Sequence, residues 1–121
     1  MVFLVVDDLF FSIKVKTAAQ HLGTEVFFER TGAHTLETIR EKKPRLVVFD
    51  LDAARLRPIE TVAAMKGDPE LRAVPTLGFV SHVHADVIAG ARAAGIDQVL
   101  ARSAFVDRLG SIIGPSSTST T

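Results

Sequence analysis

The sequence predicts an α/β fold, namely a doubly wound five-stranded parallel sheet in the order 2-1-3-4-5 with helices on both faces. Short apolar runs alternate with segments of helical periodicity along the chain, as expected for successive βα units. The runs are continuously apolar, which is typical of parallel strands that are covered on both faces. Five such units joined by right-handed crossovers fit most economically into the order 2-1-3-4-5.

The strand candidates are the five short apolar runs. They comprise residues 2–6, 25–28, 45–49, 75–80 and 97–101. The segment after the first run has helical periodicity, with Asp8 well placed as its N-cap and Gly23 as its stop. The inward face of this first predicted helix consists of Phe11, Val15, Ala18 and Leu22.

The second predicted helix runs from about Thr35 to Lys43, because Pro44 cannot continue a helix. The third begins at Pro58, a residue suited to the first helical position, and ends before Gly67.

The fourth predicted helix is closed by Gly95. The last uses Ser103 as its N-cap and continues as one helix to Ile113, before Gly114. We therefore expect a single folded domain over residues 1–113 and a disordered Ser/Thr-rich tail over residues 114–121.

The composition excludes several classes of protein. The 121 residues suffice for one domain with one core, and 47% of them are hydrophobic. Fourteen basic residues balance fourteen acidic ones, so we expect no nucleic-acid partner and no attraction to an anionic membrane. No apolar stretch approaches the ~20 residues of a membrane helix, so we expect no membrane insertion. The absence of cysteine excludes thiol chemistry and fits a cytoplasmic protein.

Acidic residues follow two of the predicted strands. Asp7 and Asp8 come after the first strand, and Asp50 comes after the third. In the order 2-1-3-4-5 these two strands are neighbours, so the three carboxylates meet at the carboxyl edge of the sheet. Clustered carboxylates repel one another unless a cation lies between them, and Mg²⁺ is the usual hard cation. The pattern predicts a weak magnesium site that handles phosphoryl groups.

These residues resemble the receiver domain of bacterial two-component response regulators. The resemblance rests on the acidic pair, on Asp50, on the strand led by Pro75 and on Ala94-Gly95, and it covers residues 1 to about 113. It implies the flavodoxin-like receiver fold and a phosphoryl transfer to Asp50 from a histidine kinase or phosphotransfer protein. It also implies that Mg²⁺ is bound by Asp7, Asp8, Asp50 and the backbone carbonyl of Asp52.

The positions that switch conformation in that family differ in this chain. Val80 stands where the family has a Thr or Ser that hydrogen-bonds the phosphoryl group, and Val80 has no donor. The neighbouring Ser81 would need a one-residue shift to replace it, because strand alternation points it to the other side. Val99 stands where an aromatic residue is expected. The resemblance therefore implies a module whose switch is degenerate.

The cation of the family's site is also altered. Arg102 stands where a lysine is expected, followed by Ser103 instead of proline. The planar guanidinium either serves as the cation that contacts phosphate or forms a bidentate ion pair with Asp50. Arg55 and Arg57, in the loop after the third strand, are solvated or else turn inward and compete with metal for the carboxylates.

Leu9 and Phe10 are the candidate docking residues. They lie beside the acidic pocket, where a polar residue would cost nothing, and an exposed apolar spot there is suited to a protein partner. The alternative is partial burial under the loop after the third strand.

Three functions follow as alternatives. The first is a stand-alone receiver-like module in phosphorelay signalling, with a downstream protein partner and no enzymatic activity beyond gaining and losing its own phosphoryl group. A phosphate-independent pseudo-receiver interaction module is the second. The third is a haloacid-dehalogenase-like phosphatase, because Asp50 and Asp52 resemble its D-x-D motif.

A nucleotide or flavin module would need a glycine-rich phosphate loop, which does not follow the first strand. His82 and His84 have no third ligand that would make a zinc site.

Overall fold

The computed structural model describes residues 1–81 and 84–114, and it confirms the predicted fold class. One five-stranded sheet has the order β2-β1-β3-β4-β5, and every neighbouring pair of strands is parallel. The strands are β1 (Val2–Val5), β2 (Val26–Glu29), β3 (Leu46–Asp50), β4 (Thr76–Val80) and β5 (Gln98–Ala101). Of the predicted Ser/Thr-rich tail, only its first residue, Gly114, lies within the described residues.

Helices cover both faces of the sheet. They are α1 (Leu9–Leu22), α2 (Thr35–Lys42), α3 (Pro58–Lys66), α4 (Ala85–Ala94), α5 (Arg102–Asp107) and α6 (Leu109–Ile113). A single 3₁₀ turn over Ala54–Leu56 follows β3. No helix in the described part of the chain is long and apolar enough to cross a membrane.

Both predicted ends of α1 are confirmed. Asp8 Oδ1 accepts a hydrogen bond from the backbone N–H of Phe11 at 3.0 Å, which satisfies one of the free donors of the first turn. Gly23 has the left-handed φ of 69° that ends many helices. The Asp8 carboxylate is thereby held at the edge of the sheet where β1 ends.

The prediction for the last helix is wrong in two respects. The segment forms two short helices, α5 and α6, which are separated at Arg108, instead of one helix. Ser103 lies inside α5 and is not its N-cap, because β5 continues into the helix through the extended backbone of Ala101. Leu109 and Ile113 are nevertheless buried, so both short helices contribute to the core.

Side chains of alternate strand residues belong to two apolar clusters, one on each face of the sheet. Phe3 and Phe49 belong to the cluster beneath α2, α3 and α4. The other cluster contains three aromatic rings in contact, with centroids 4.8 Å apart for the tilted pair Phe11 and Phe79 and 5.1 Å apart for the stacked pair Phe79 and Phe105. These rings connect α1, β4 and α5 directly below the carboxyl edge, so the edge rests on a rigid layer.

Candidate functional site

The acidic residues meet at one edge because β1 and β3 are neighbours. Val5 pairs with Phe49, so Asp7 and Asp8 emerge beside Asp50. On the other side of β3, Asp50 pairs with Phe79, and Val80 pairs with the last residue of β5. Arg102 therefore enters the same edge from the start of α5. This is the switch point of the sheet, where ligands bind in doubly wound folds.

Asp50 is the buried carboxylate of this pocket, with 6% of its surface exposed. Its Oδ1 accepts a hydrogen bond from the backbone N–H of Asp52 at 3.0 Å. Burial raises the pKa of Asp50 above its usual value and outweighs this hydrogen bond; the negative charge of Asp52 also raises the pKa, while Arg102 lowers it. The charged form of Asp50 is thus stabilised less fully than that of Asp8, whose pKa is lowered.

Asp7 is paired with an arginine from the loop after β3. Arg55 Nη2 lies 2.8 Å from Asp7 Oδ2, and the same nitrogen lies 3.5 Å from the carbonyl oxygen of Arg30. The Arg55 side chain is 64% exposed, so this ion pair is open to solvent. The 3₁₀ turn places Arg55 toward the pocket, in agreement with the inward alternative for this residue. Arg57, two residues on, is exposed.

Asp8 is paired with Arg102, at 2.9 Å between Oδ2 and Nη2. The N–H of Phe11, followed by Arg102, lowers the pKa of Asp8. The Arg102 guanidinium carbon also lies 4.4 Å from the ring centroid of Phe11 and 5.9 Å from that of Phe79. The expectation that Arg102 forms an ion pair with Asp50 is therefore wrong, because stacking on these rings directs its fork to the N-cap of α1.

Asp52 connects the pocket to the end of β4. Its Oδ2 accepts a hydrogen bond from the backbone N–H of Ser81 at 2.6 Å, and its Oδ1 lies 3.4 Å from Nδ1 of His84. The backbone carbonyl, which the family resemblance implies as a metal ligand, already accepts from the N–H of Ala54 at 3.0 Å. Sequence reasoning gave the Asp52 side chain a role only in the phosphatase alternative and missed its hydrogen bond with the backbone of Ser81.

The three predicted switch positions occupy different environments. Val80 is buried in the cluster beneath α2, α3 and α4, and Val99 packs against that cluster from β5. Ser81 is exposed, and its Oγ lies 3.5 Å from Nη1 of Arg102. Ser81 is thus the hydroxyl that approaches the pocket's arginine, while Val80 contributes packing alone.

The arrangement does not fit a Mg²⁺ ion as it stands. The donors have the right chemistry, since carboxylate oxygens are the ligands that Mg²⁺ prefers. Among residues 1–81 and 84–114, however, no three His, Asp or Glu side chains are grouped so as to hold a metal ion. One oxygen of Asp7 and one of Asp8 are instead engaged by guanidinium groups. His82, half of the predicted histidine pair, lies outside the described residues.

An apolar patch lies on α1 next to the pocket. Phe10 is 84% exposed, and Leu9 and Ile13 are more than half exposed. The alternative that Phe10 is buried under the loop after β3 is therefore wrong. Sequence reasoning missed Ile13, although its spacing of four residues from Leu9 places both on one helix face. A groove of about 310 Å³ between Ile13 and Phe28 of β2 continues the patch.

No family model matches the chain, and no curated protein matches it significantly. Solved structures do resemble it. A response regulator from Hahella chejuensis is 19% identical, with a TM-score of 0.81 over 93% of this chain and 90% of that one. A response regulator in its Mn²⁺-bound form is 16% identical (TM-score 0.76, 92% and 89% covered). A phosphorylated cyanobacterial phytochrome response regulator is 21% identical (TM-score 0.71, 93% and 86% covered). The resemblance to receiver domains is thus confirmed for the fold: the chain has the fold of response-regulator receiver domains.

Proposed function

We propose that this chain is a receiver-type signalling module that accepts a phosphoryl group on Asp50 from a histidine kinase or phosphotransfer protein. The observation that carries the proposal is the placement of Asp50. It is buried at the end of β3 in a receiver fold, and no arginine of the described residues is paired with it, although two arginines engage its neighbours. The phosphorylated and Mn²⁺-bound states of similar structures support the same chemistry.

The transfer needs an ionised and positioned nucleophile. A carboxylate oxygen of Asp50 attacks the phosphorus, and the bond from phosphorus to the donor breaks with its electron pair leaving on the donor. The hydrogen bond from Asp52 to Oδ1 fixes the orientation of the carboxylate. Arg55 and Arg102 are the cations at hand on this chain to offset the charge of the incoming group. Because burial raises the pKa of Asp50, transfer should slow as the pH falls through that pKa.

The test is phosphorylation by a small donor. Wild type and Asp50→Asn are incubated with acetyl phosphate at several Mg²⁺ concentrations and analysed by intact mass and peptide mapping. We expect slow addition of one phosphoryl group to wild type and none to Asp50→Asn. Addition to both proteins, or to neither, would contradict the assignment of Asp50.

The degenerate switch predicts a small response to phosphorylation. Val80 has no donor for a phosphoryl oxygen, so the adduct gains few contacts that differ between two conformations. Amide spectra with beryllofluoride should therefore change near Asp50 in wild type and more widely in Val80→Thr. An equally wide change in wild type would assign the missing contact to Ser81.

We further propose that output occurs through protein contacts in the cytoplasm and that the chain catalyses nothing beyond the gain and loss of its own phosphoryl group. The patch of Leu9, Phe10 and Ile13 is the candidate docking surface, because these are exposed apolar side chains within the first five residues of α1, next to Asp8. A partner docked there reaches the pocket without crossing the sheet.

The second candidate is a phosphate-independent interaction module. It is favoured by the two ion pairs, Asp7 with Arg55 and Asp8 with Arg102, which offset the charges of Asp7 and Asp8 without a ligand. The two candidates differ in one measurable respect. If partner binding in a pull-down is the same for wild type with acetyl phosphate, wild type without it and Asp50→Asn, the phosphate-independent module is the correct one.

A further inference from the structure

We propose that Arg55 and Arg102 act as built-in counter-ions in place of a divalent metal, so that Mg²⁺ enters the pocket only when the guanidinium groups leave. The inference concerns the same pocket as the proposed function, but it does not require that Asp50 is phosphorylated. It rests on where the two arginines come from, on which oxygens they engage and on how firmly each is held.

The two arginines approach the acidic pair from opposite sides. Arg55 comes from the turn after β3 and engages Asp7 at 2.8 Å, whereas Arg102 comes from the start of α5 and engages Asp8 at 2.9 Å. Together they carry two positive charges, the same charge as one divalent ion. Carboxylates in close proximity need such a cation, and here the chain supplies it from its own side chains.

Each oxygen of Asp8 already accepts one hydrogen bond. Oδ1 caps α1 through the N–H of Phe11, and Oδ2 accepts from Arg102. A metal ion that binds Oδ2 therefore competes with the positive charge of Arg102, and one that binds Oδ1 competes with the cap of α1. The backbone carbonyl of Asp52 is likewise engaged by Ala54 in the 3₁₀ turn. Mg²⁺ demands near-ideal octahedral geometry, so it tolerates such pre-engaged donors poorly.

The two arginines are held with different strength. Arg102 is 31% exposed and stacks on the ring of Phe11, so its position is fixed by packing as well as by charge. Arg55 is 64% exposed, and its side chain is held by Asp7 and by one contact at the 3.5 Å limit with the carbonyl of Arg30. Arg55 is therefore the counter-ion that leaves first, and Arg102 is the one that is held more firmly.

The experiment is a MgCl₂ titration at constant ionic strength, followed by the amide signals of Asp7, Asp8 and Asp50 and by calorimetry. The proteins are wild type, Arg55→Ala, Arg102→Ala and the double variant. Arg57→Ala and Arg108→Ala are the matched controls, because these exposed arginines lie near Arg55 and Arg102 in sequence and make no ion pair within the described residues. Constant ionic strength is needed because exposed pairs are screened by salt.

We expect Arg55→Ala to bind Mg²⁺ about tenfold more tightly than wild type, the scale of the repulsion between a divalent ion and a guanidinium roughly 5 Å away in a water-like dielectric. The double variant should bind more tightly still, and the two controls should match wild type. Equal affinity in wild type and Arg55→Ala would overturn the inference, as would an equal gain in Arg57→Ala, which would reduce the effect to net charge.

The result remains decisive if Arg102→Ala does not fold, because Arg55→Ala alone tests the competition at an exposed side chain. The titration contains no phosphodonor. Phosphorylation of Asp50 can therefore fail while the arginines are still shown to exclude Mg²⁺, and the inference can fail while Asp50 is still phosphorylated.

Discussion

Two aspartates at opposite ends of the parallel strands, Asp50 and Asp97, show how differently the same side chain can be used. Asp97 lies just before β5, where its Oδ2 accepts from the N–H and the hydroxyl of Thr76 at 2.8 and 2.9 Å and from Lys66 Nζ at 3.0 Å. Asp50 lies at the carboxyl edge, and the one hydrogen bond that the described residues donate to its carboxylate comes from the backbone N–H of Asp52.

Because of this difference in hydrogen bonding, the pKa values of Asp97 and Asp50 are shifted in opposite directions from the usual value. Burial raises the pKa of Asp97, but the hydrogen bonds from Thr76 and Lys66 outweigh burial and hold the pKa below its usual value. For Asp50 burial dominates, and the pKa is raised. A carboxylate whose charge is fully satisfied stabilises the fold, whereas one whose charge is incompletely satisfied remains reactive and destabilises the fold when it ionises. One edge of the sheet thus has a carboxylate with a lowered pKa, and the other edge has the carboxylate with a raised pKa that we propose as the reactive group.

Among the aspartates, the largest effect is expected from removing the structural carboxylate. Asp97→Ala should lower the free energy of unfolding by about 2 kcal/mol, because it removes the acceptor for the donors of Thr76, a residue only 1% exposed, while water at the 52% exposed Asp97 side chain replaces part of the loss. The loss is measured by urea unfolding at pH 7, with the exposed Asp107→Ala as the matched control. Since the folded pKa of Asp97 is depressed, its contribution is present above the unfolded pKa and is lost as the pH falls through the folded pKa. If Asp97→Ala loses as little stability as Asp107→Ala, the claim that Asp97 stabilises the fold is contradicted.

Variants of Asp8 test whether a second carboxylate at the same edge as Asp50 stabilises the fold. Asp8→Ala should cost about 1.5 kcal/mol, from the lost cap of α1 and the lost Arg102 pair, while Asp8→Asn should cost less because Asn still caps a helix. Thermal unfolding of both variants measures the difference. Equal losses would mean that the charge, and not the cap, is what Asp8 contributes.

Asp50→Asn should increase the free energy of unfolding, whereas the two preceding substitutions decrease it. We expect a gain of about 1 kcal/mol at pH 7, because an incompletely satisfied buried charge is removed. The folded pKa of Asp50 is raised, so wild-type stability is lost as the pH rises from the unfolded pKa through the folded one. The gain should therefore disappear below about pH 4, near the ordinary pKa of Asp. Destabilisation at pH 7 would show that the ionised Asp50 is a structural group after all.

The smallest effect on stability is expected at the docking patch. Phe10→Ala should change the free energy of unfolding by less than about 0.5 kcal/mol, because the ring is 84% exposed. Phe11→Ala, at the neighbouring but buried position, should cost about 3 kcal/mol and serves as the control. If Phe10→Ala also leaves partner binding in a pull-down intact, the patch is not the docking surface.

The architecture was predictable because it depends on local patterns. Continuous apolar runs identify the strands, and Asp8 and Gly23 mark the ends of α1 by capping rules that act within a few residues. The rule for switch points then brings the acidic residues to one edge. The end of the last helical segment at Ile113 was predicted correctly, but its start at Arg102 and its break at Arg108 were not, because neither carries a capping residue in the sequence.

The pairing within the site was predictable only in part. Arg55 meets Asp7 across 48 residues, and this contact depends on a 3₁₀ turn that has no apolar period. A pair with Asp50 was one of the two alternatives for Arg102, but its guanidinium lies over the rings of Phe11 and Phe79 and pairs with Asp8. The Asp97 network joins residues of β4 and α3, and a polar contact between distant segments leaves no periodic signal in the sequence.

The contrast between the two ends of the sheet is tested most directly by the side-chain carboxyl ¹³C signals of Asp50 and Asp97 during a pH titration of the wild-type protein. We expect Asp50 to titrate above the ordinary range of aspartate and Asp97 to titrate below it, because burial dominates at the first and hydrogen bonds dominate at the second. If Asp50 titrates at or below the pH at which Asp97 does, Asp50 is not the incompletely satisfied carboxylate of this fold, and its assignment as the reactive group is contradicted.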